Sequence, residues 1–487
     1  MSNKLSRRKV VKSIAGLTIG MEMMNSSIAN AIPVADYSKY RFTSADIKVS
    51  PPGPKSLALL ERIKKSVART NYTGLYSISA SSGKGVHIID LDGNSYIDCL
   101  AAASTNILGY DHNEVADAYT QTAKAIQNTA FGYTPNIESV ELAEKLIKIT
   151  PGDFEKRVML GVSGSDASGG AIEAARKYTG KMGLISFNYA YHGSTGLSQQ
   201  ASGFSGLKTG VYQDSNDFIK LDFPATPKQR DKALKDIESI LAWGKVGAVM
   251  LEPIQGDAGI IVPAEGFMVR LKNLLEDYGV LLIDDEVQSG MGRSGKWWAI
   301  EHEGVVPDIV VAGKGLSGGY APVSAVIGRA DIMESLDTAQ QIFTYTGHGP
   351  SAAAASKVID IIVKEEIVKN SADVGAYLLS GLQNAVKKYP EILVEARGRG
   401  LMIGLEINTK NIPLANKIFA FRCIEKGIYF GYFGPGQRVI RIEPPLTLSK
   451  GEADTILKAV NETAAEIKGG KIPDTTVAKV ENYALGW

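Results

Sequence analysis

The sequence predicts an α/β protein whose large domain is built on a mostly parallel sheet. Short apolar runs such as Val280–Ile283 and Ile309–Val311 alternate with stretches of helical spacing, including Gly266–Asp277. Wholly apolar runs between glycine-rich loops are typical of strands buried on both faces, and strand–helix alternation favours parallel connections. Near residue 370 the sequence pattern changes to two helical segments mixed with strands of alternating polarity. This change predicts a smaller C-terminal α+β domain.

The composition limits the kinds of binding partner that are expected for this protein. Lys and Arg total 53 and Asp and Glu total 52 among 487 residues, so no basic surplus points to nucleic acid or to an acidic membrane surface. No apolar run is long enough to span a bilayer. Cys99 and Cys423 alone do not form a disulfide framework. We predict no metal, no nucleic acid and no membrane partner.

The first 31 residues have the three-part pattern of a secretory signal. A basic start containing Ser6-Arg7-Arg8-Lys9 precedes a weakly apolar middle and a small-x-small end at Ala29-Asn30-Ala31. The arginine pair resembles a twin-arginine export signal, so residues 1–31 are expected to direct export to the periplasm. The alternative is a basic amphipathic tail on a cytoplasmic protein.

Three further segments follow the signal. Residues 32–100 are expected to hold an extended lead-in, a helix over Leu57–Val67 and a hairpin around Asp92-Gly93. Residues 101–370 would form the large domain. Residues 371–487 would form the small one, with helices over Val374–Lys388 and Ala415–Lys426.

Two reactive side chains follow apolar strands of the large domain. Asp285 comes just after Val280–Ile283, and Lys314 lies among glycines after Ile309–Val311. In open α/β sheets ligands bind at the carboxyl ends of strands, so Asp285 and Lys314 are expected at one rim. A lysine among glycines is a candidate Schiff-base former. An acid facing it could hold a pyridinium nitrogen, as in pyridoxal phosphate (PLP) enzymes.

The residues around this rim carry a family resemblance. Asp285–Gly295 reads DEVQSGMGRSG and is followed by Pro307-Asp308 and Gly313-Lys314-Gly315. This ordered set resembles the signature of the class III aminotransferases, PLP enzymes of the aspartate-aminotransferase fold type (fold type I). The resemblance extends over about residues 50 to 487. It implies that Lys314 binds PLP, that the substrate is an amino acid, a small molecule, and that the protein is a homodimer with shared active sites.

Four side chains are predicted around the PLP ring. Strand alternation puts Asp285 and Val287 on one face, so the acid could bond the ring nitrogen while Val287 packs on the ring. The resemblance implies that Gln288 lies near the phenolic oxygen. It also implies that Tyr191, in Tyr191-His192-Gly193, stacks on the opposite face, and it adds His192 to the cofactor site.

The phosphate is predicted at a helix start. Ser163, Gly164 and Ser165 lie between a strand and a helix that is predicted over Ser168–Tyr178, where free N–H groups favour an anion; the alternative is an ordinary N-cap turn. The resemblance adds a threonine from the neighbouring subunit. The usual Gly-x-Asn-Pro turn is altered here, with His348 as a departure, so Thr346 or Thr344 could fill this role.

Two charged residues are predicted to meet the substrate. Arg441 matches the family arginine that holds a substrate carboxylate. Asp257 stands where many class III transaminases carry glutamate, and in this it resembles the amino-acid racemase and isoleucine 2-epimerase branch. Ser163–Ala167, Tyr191–Thr195 and the terminal Gly486-Trp487 resemble the same branch. Asp257 is therefore either a second catalytic base or a partner of Arg441 or of the cofactor surround.

The resemblance leaves the reaction open. Lys314 would act as general base on Cα–H, and a proton returned to Cα from Asp257 would give racemisation or 2-epimerisation. A proton returned to the cofactor would give transamination to a 2-oxo acid, and other PLP chemistry is a third route. An inactive, binding-only member of the family is a further alternative, against which the intact Lys314 and Asp285 speak.

Overall fold

The computed structural model describes residues 45–71, 78–204, 215–410, 412 and 414–483. The described residues belong to one compact unit. The predicted export signal and the terminal Gly486-Trp487 lie outside them. None of the helices in the described ranges is long and apolar enough to cross a membrane. The same ranges contain no cluster of three His, Cys, Asp or Glu side chains arranged for a metal ion.

The strands follow one another in chain order with these bounds: β1 Ala80–Lys84, β2 His87–Asp90, β3 Ser95–Asp98, β4 Lys156–Gly161, β5 Gly183–Phe187, β6 Phe218–Leu221, β7 Val246–Leu251, β8 Leu281–Asp285, β9 Ile309–Ala312, β10 Ser324–Arg329, β11 Leu393–Arg399, β12 Met402–Ile407, β13 Ile428–Tyr429, β14 Gly431–Phe433 and β15 Val439–Ile442.

The helices have these bounds: α1 Pro54–Ser66, α2 Asn113–Ala125, α3 Ile137–Ile149, α4 Gly164–Thr179, α5 Gly196–Ala201, α6 Pro227–Leu241, α7 Phe267–Asp277, α8 Ala330–Met333, α9 Gly349–Lys364, α10 Ile367–Lys388, α11 Ala415–Glu425, α12 Lys450–Lys468 and α13 Asp474–Tyr483. A short turn at Ala101–Ser104 has positive φ at all four residues.

The largest sheet of the described chain has the strand order β4-β10-β9-β8-β7-β5-β6. Only β10 runs antiparallel to its neighbours, so the predicted mostly parallel sheet is confirmed. Strands β7, β8 and β9 are buried along their whole length. Their apolar side chains meet helices rather than water on both faces, because parallel strands need crossover connections that cover the sheet.

The pairing of β8 with β9 positions the site. Asp285 lies opposite Val311, one residue before the end of β9, and Lys314 follows two residues after that end. Both strands run in the same direction, so Asp285 and Lys314 emerge at the same rim of the sheet, as predicted.

Two smaller sheets account for the ends of the chain. The strands in the order β11-β12-β15-β14 form an antiparallel sheet within the predicted small domain. The predicted N-terminal hairpin is present as β2 and β3, with His87 opposite Ile97. Strand β3 also pairs in parallel with β13, where Ile428 lies opposite Ile97. The N-terminal segment therefore shares a sheet with C-terminal residues, and the domain limits near 100 and 370 stay predictions.

One helix of the C-terminal part is longer than expected. Helix α10 begins at Ile367 rather than at Val374, directly after Glu366, whose φ is 51°. That left-handed residue turns the chain between α9 and α10. The sequence pattern, which carries no glycine or proline there, gave no signal for this break.

Candidate active site

Lys314 lies at the rim with its amine directed into the site. Its backbone φ is 42°, a left-handed conformation that is uncommon for a residue with a long side chain and typical of functional positions. The Nζ atom donates to Gln288 Oε1 at 2.6 Å. Burial lowers the pKa of Lys314, and the nearby negative charge of Asp257 raises it in part. The lowered pKa favours the neutral amine that nucleophilic and base chemistry needs.

Asp285 ends β8 and is nearly fully buried. Its Oδ2 atom lies 2.6 Å from His192 Nδ1, and its Oδ1 atom accepts from the backbone N–H of Val287 at 3.1 Å. The other ring nitrogen of His192, Nε2, is buried without a partner among the described residues. The carboxylate is thus held in one orientation by two neighbours, which suits an acid that must face a fixed ligand atom.

The acids on either side of Asp285 point away from the site, as strand alternation predicts. Both are fully buried. Burial raises the pKa of Asp284 well above its usual range and that of Glu286 to about 8. Glu286 accepts from the Ser289 hydroxyl at 2.6 Å and from Ile300 N–H at 2.9 Å.

The predicted phosphate loop forms the first turn of α4. This helix begins at Gly164 instead of Ser168, because Ser163 and Asp166 cap it reciprocally: Ser163 N–H donates to Asp166 Oδ1 at 2.9 Å, and Asp166 N–H to Ser163 Oγ at 3.3 Å. The first turn of a helix leaves its N–H groups without helical acceptors. A Cβ added at Gly164 would lie 3.0 Å from Val287 Cγ1, so the backbone there approaches Val287 closely.

Glu252 joins two loops of the site, a role the sequence reasoning missed. Its Oε1 accepts from the Tyr191 N–H at 3.0 Å and its Oε2 from the Gly256 N–H at 2.9 Å. Burial, with the negative charge of Asp285, raises the pKa of Glu252 to about 8. The loop that carries the predicted ring-stacking Tyr191 and the loop that carries Asp257 are therefore tied to one side chain. The only available signal was an acid preceding Pro253 at a strand end.

Arg441 and Asp257 meet directly. Arg441 Nη1 donates to Asp257 Oδ1 at 2.6 Å, and the guanidinium lies 3.4 Å from the centre of the Phe433 ring. Arg441 is fully buried, whereas the Asp257 side chain is 24% exposed. Arg441 Nε lies 3.0 Å from a carboxyl oxygen of Glu443, a second acid that the sequence reasoning did not single out. Gln288 also meets Glu443, through its Nε2 at 2.9 Å.

The two candidate threonines differ in exposure. Thr346 is 9% exposed and its hydroxyl accepts from Phe343 N–H at 3.0 Å. Thr344 has an exposed side chain, and its carbonyl accepts from Asn128 Nδ2 at 3.0 Å. Within the described part of the chain, neither threonine hydrogen-bonds to Ser165, Asp285 or Lys314. The contact of Thr346, or of Thr344, with a second subunit stays a prediction.

The residues brought together at the rim fit PLP. Lys314 supplies an amine, Asp285 a fixed carboxylate, and the first turn of α4 a set of N–H groups for a phosphate. Gly164 and Gly313 leave room over Val287, since a Cβ at either would lie 3.0 or 3.3 Å from Val287 Cγ1. These are the amine, acid and anion sites that an aldehyde-bearing pyridinium phosphate requires.

Comparison with known proteins agrees with this geometry. The family model for class III aminotransferases matches residues 68–463. An alanine/serine racemase of Pyrococcus horikoshii is 36% identical over 463 residues, covering 91% of this chain and 95% of that protein. A leucine/methionine racemase of Thermococcus litoralis is 34% identical, covering 88% and 98%. An isoleucine 2-epimerase of Lentilactobacillus buchneri is 31% identical, covering 89% and 99%.

Solved structures share the fold. The ornithine aminotransferase of Toxoplasma gondii ME49 superposes with a TM-score of 0.78 at 27% identity, covering 85% of this chain and 96% of that one. An amine transaminase from an uncultivated Pseudomonas species, crystallised with PLP bound, has a TM-score of 0.74 at 27% identity, covering 80% and 95%. The predicted fold type I is thereby confirmed.

Proposed function

This chain belongs to the class III aminotransferase family and is a PLP-dependent enzyme, and on that premise we propose that it racemises or epimerises a free amino acid at Cα. The proposal rests on Asp257. Its carboxylate is partly exposed, and it raises the pKa of Lys314 more than any other charged group does. A racemase needs two proton carriers at one carbon, and Asp257, an acid that acts electrostatically on Lys314 and is partly open to solvent, is our candidate for the second. The racemase and epimerase relatives support the same reaction.

Each residue would have a defined task. When bound, PLP draws electrons from Cα of the attached amino acid and so acidifies its C–H bond. Lys314 takes the Cα proton with its neutral amine, and Asp257 in its protonated form returns one from the other side. Arg441 holds the substrate carboxylate with a planar pair of donors. One proton leaves Cα and one returns, so no other reactant is consumed.

Transamination is the second candidate, and a specific contact favours it. Asp257 is paired with Arg441 at 2.6 Å, which is what a residue with the sole task of balancing that cation would do. The ornithine aminotransferase neighbour supports the same alternative. In that case a 2-oxo acid is required, and Asp257 contributes to substrate affinity rather than to proton transfer.

The test follows the Cα proton. The enzyme is incubated in deuterated water with single L-amino acids, among them the five named for the relatives, with and without a 2-oxo acid, and the products are resolved by chiral analysis. The proposal expects D-amino acid carrying deuterium at Cα without any 2-oxo acid. Asp257→Asn should lower inversion by about 10²–10⁴-fold. Deuterium exchange with retention should persist, because Lys314 still exchanges the proton on its own side.

A matched control separates Asp257 from any loss of surface charge. Asp231→Asn removes an exposed carboxylate that pairs with Arg230 and Arg270 and should leave inversion unchanged. Fast amino transfer without inversion of any tested amino acid would reject the racemase proposal in favour of the transaminase.

We also propose a homodimer with shared active sites, as the family resemblance implies. Large apolar side chains remain exposed beside Thr344; they are Tyr133 at 84%, Ile137 at 62%, Ile342 at 42%, Phe343 at 42% and Tyr345 at 59%. Two neighbouring segments carry them, since Asn128 and Asn136 hydrogen-bond to the loop at Thr344 and Gly347. An exposed apolar patch of this kind is typical of a protein interface. Light scattering should give twice the chain mass, and an active monomer would contradict the proposal.

Export remains a proposal that rests on residues 1–31. Their basic start, Arg7-Arg8 pair and Ala29-Asn30-Ala31 end support a twin-arginine signal. Periplasmic extracts of the source organism should then contain a form lacking these residues. Full-length protein found only in the cytoplasm would favour the alternative of a cytoplasmic tail.

A further inference from the structure

Glu443 is a buried acid between the Gln288 amide, which meets Lys314, and the Arg441 guanidinium. It follows β15, its side chain is fully buried, and its backbone N–H donates to the Cys99 carbonyl at 2.7 Å. Its carboxyl oxygens accept from Gln288 Nε2 at 2.9 and 3.1 Å, and one of them lies 3.0 Å from Arg441 Nε. Glu443 therefore accepts hydrogen bonds from the amide that meets Lys314 and forms an ion pair with Arg441.

The chemistry of these partners fixes the orientation of Gln288. A carboxylate only accepts hydrogen bonds, whereas a primary amide has one donor end and one acceptor end. With its NH₂ end at Glu443, Gln288 must present its carbonyl oxygen to Lys314, where the distance to Nζ is 2.6 Å. If the amide turned over, its NH₂ end would face the lysine, and that end accepts no hydrogen bond from an ammonium group.

A continuous series of polar contacts results. It runs from the Lys314 amine through Gln288 and Glu443 to Arg441 and ends at the partly exposed Asp257. Gln288, Glu443 and Arg441 are all buried, so water does not compete for these contacts. The charged groups acting on Lys314 are Asp257, Glu443, Glu252 and Arg441, and the three acids favour its ammonium form while the arginine opposes it.

We infer that Glu443 is a positioning residue that locks the Gln288 amide with its carbonyl toward Lys314, and so connects the lysine to the arginine that would hold a substrate carboxylate. The inference takes the task of Lys314 from the proposed function. Its consequence is a stronger hold of Lys314 on its proton than burial alone would permit.

The experiment measures the proton affinity of Lys314 without substrate. Full-length protein freed of PLP is exposed to cyanate, which carbamylates neutral amines, across a range of pH. The rate at Lys314 is read by mass spectrometry of the peptide that contains it. In Glu443→Gln the new amide can donate as well as accept, so Gln288 is no longer locked. The pH at which the carbamylation rate of Lys314 is half-maximal, the midpoint, should fall by about one unit. This shift corresponds to a roughly tenfold larger neutral fraction of Lys314 at a given pH.

Two further variants separate positioning from simple charge. Glu443→Asp keeps the acceptor-only carboxylate and should restore most of the wild-type midpoint. In a Gln288→Leu background, Glu443→Gln should move the midpoint by less than half as much as in the wild-type background, because the residue that transmits its effect is gone. An equal shift in both backgrounds would mean that Glu443 acts through its charge alone, and no shift in the wild-type background would also overturn the inference.

The inference can be tested even if Glu443→Gln fails to fold. Gln288→Leu alone removes the acceptor from Lys314 and should lower the same midpoint, and an unchanged midpoint would overturn the inference. Since neither substrate nor PLP is present, the result does not depend on whether the enzyme racemises or transaminates. An enzyme that transaminates but shows these shifts would reject the proposed function and keep the role of Glu443.

Discussion

Substitution of Gly193 by alanine should weaken PLP binding through the phosphate loop. Gly193 has a φ of 133°, a conformation that side-chain-bearing residues rarely adopt. A Cβ at this position would lie 2.5 Å from Ser198 Oγ, 2.7 Å from Ser165 Oγ and 2.8 Å from Ser165 Cα. The last of these atoms is backbone in the first turn of α4, so relief requires the predicted phosphate site itself to move.

The magnitude follows from the cost of that movement. Backbone strain of this kind costs about 1–3 kcal/mol. Since about 1.4 kcal/mol corresponds to a tenfold change in affinity, the dissociation constant for PLP should rise by roughly 5- to 150-fold. If the Ser198 hydroxyl turns aside, the remaining contacts of the added Cβ are with Ser165, which belongs to the predicted phosphate site.

The assay is a titration of PLP-free protein with PLP, followed by visible absorbance or by fluorescence quenching. Gly196→Ala is the matched control: Gly196 also has a positive φ, 51°, but nothing lies within 4 Å of an added Cβ. The control should lose some stability while keeping its PLP affinity. A Gly193→Ala protein that binds PLP within twofold of wild type, or an equal loss in both variants, would refute the reasoning.

Two other predictions concern the lysine and the acids behind it. Lys314→Ala should abolish turnover and the visible absorbance of bound PLP with an unchanged melting temperature, and activity above a tenth of wild type would remove Lys314 from its role. The pKa of Glu286 is raised from 4.5 to about 8, so its contribution to stability is complete below pH 4.5 and is lost as the pH rises through about 8. Between pH 5 and 8 wild type should therefore lose about 1.4 kcal/mol more per pH unit than Glu286→Gln, as denaturant unfolding at several pH values would measure, and parallel curves would contradict this.

The sequence was sufficient where local pattern decides the structure. The apolar runs of β8 and β9 can be buried only as interior strands, and the long connection of residues 286–308 between them permits the crossover that two parallel neighbours need. When two parallel strands are neighbours, the residues after their ends lie at the same rim of the sheet. The sequence alone was therefore enough to predict that Asp285 and Lys314 share a rim. Strand alternation is a local rule of the same kind, and it predicts that Asp285 and Val287, two positions apart, lie on the same face.

The rest of the site depends on contacts between distant segments. Glu443 meets Gln288 across 155 positions of the chain, and Glu252 meets Tyr191 across 61. No periodicity or motif specifies such a pairing, because an acid beside a proline is equally compatible with an exposed strand end. The start of α4 was also misplaced by four residues, since the reciprocal cap between Ser163 and Asp166 was taken for a loop.

The run Asp284-Asp285-Glu286 shows how the fold turns a sequence pattern into a single functional charge. From the sequence alone, this run would place three negative charges at one strand end. Strand alternation sends the two outer acids into the interior, where burial raises the pKa of Asp284 well above its usual range and that of Glu286 to about 8 and so disfavours their charged forms. Only Asp285 faces the rim, where His192 and the Val287 N–H supply donors to it. The site therefore gains one oriented carboxylate opposite Lys314, and removing a hidden acid should alter stability with pH rather than catalysis.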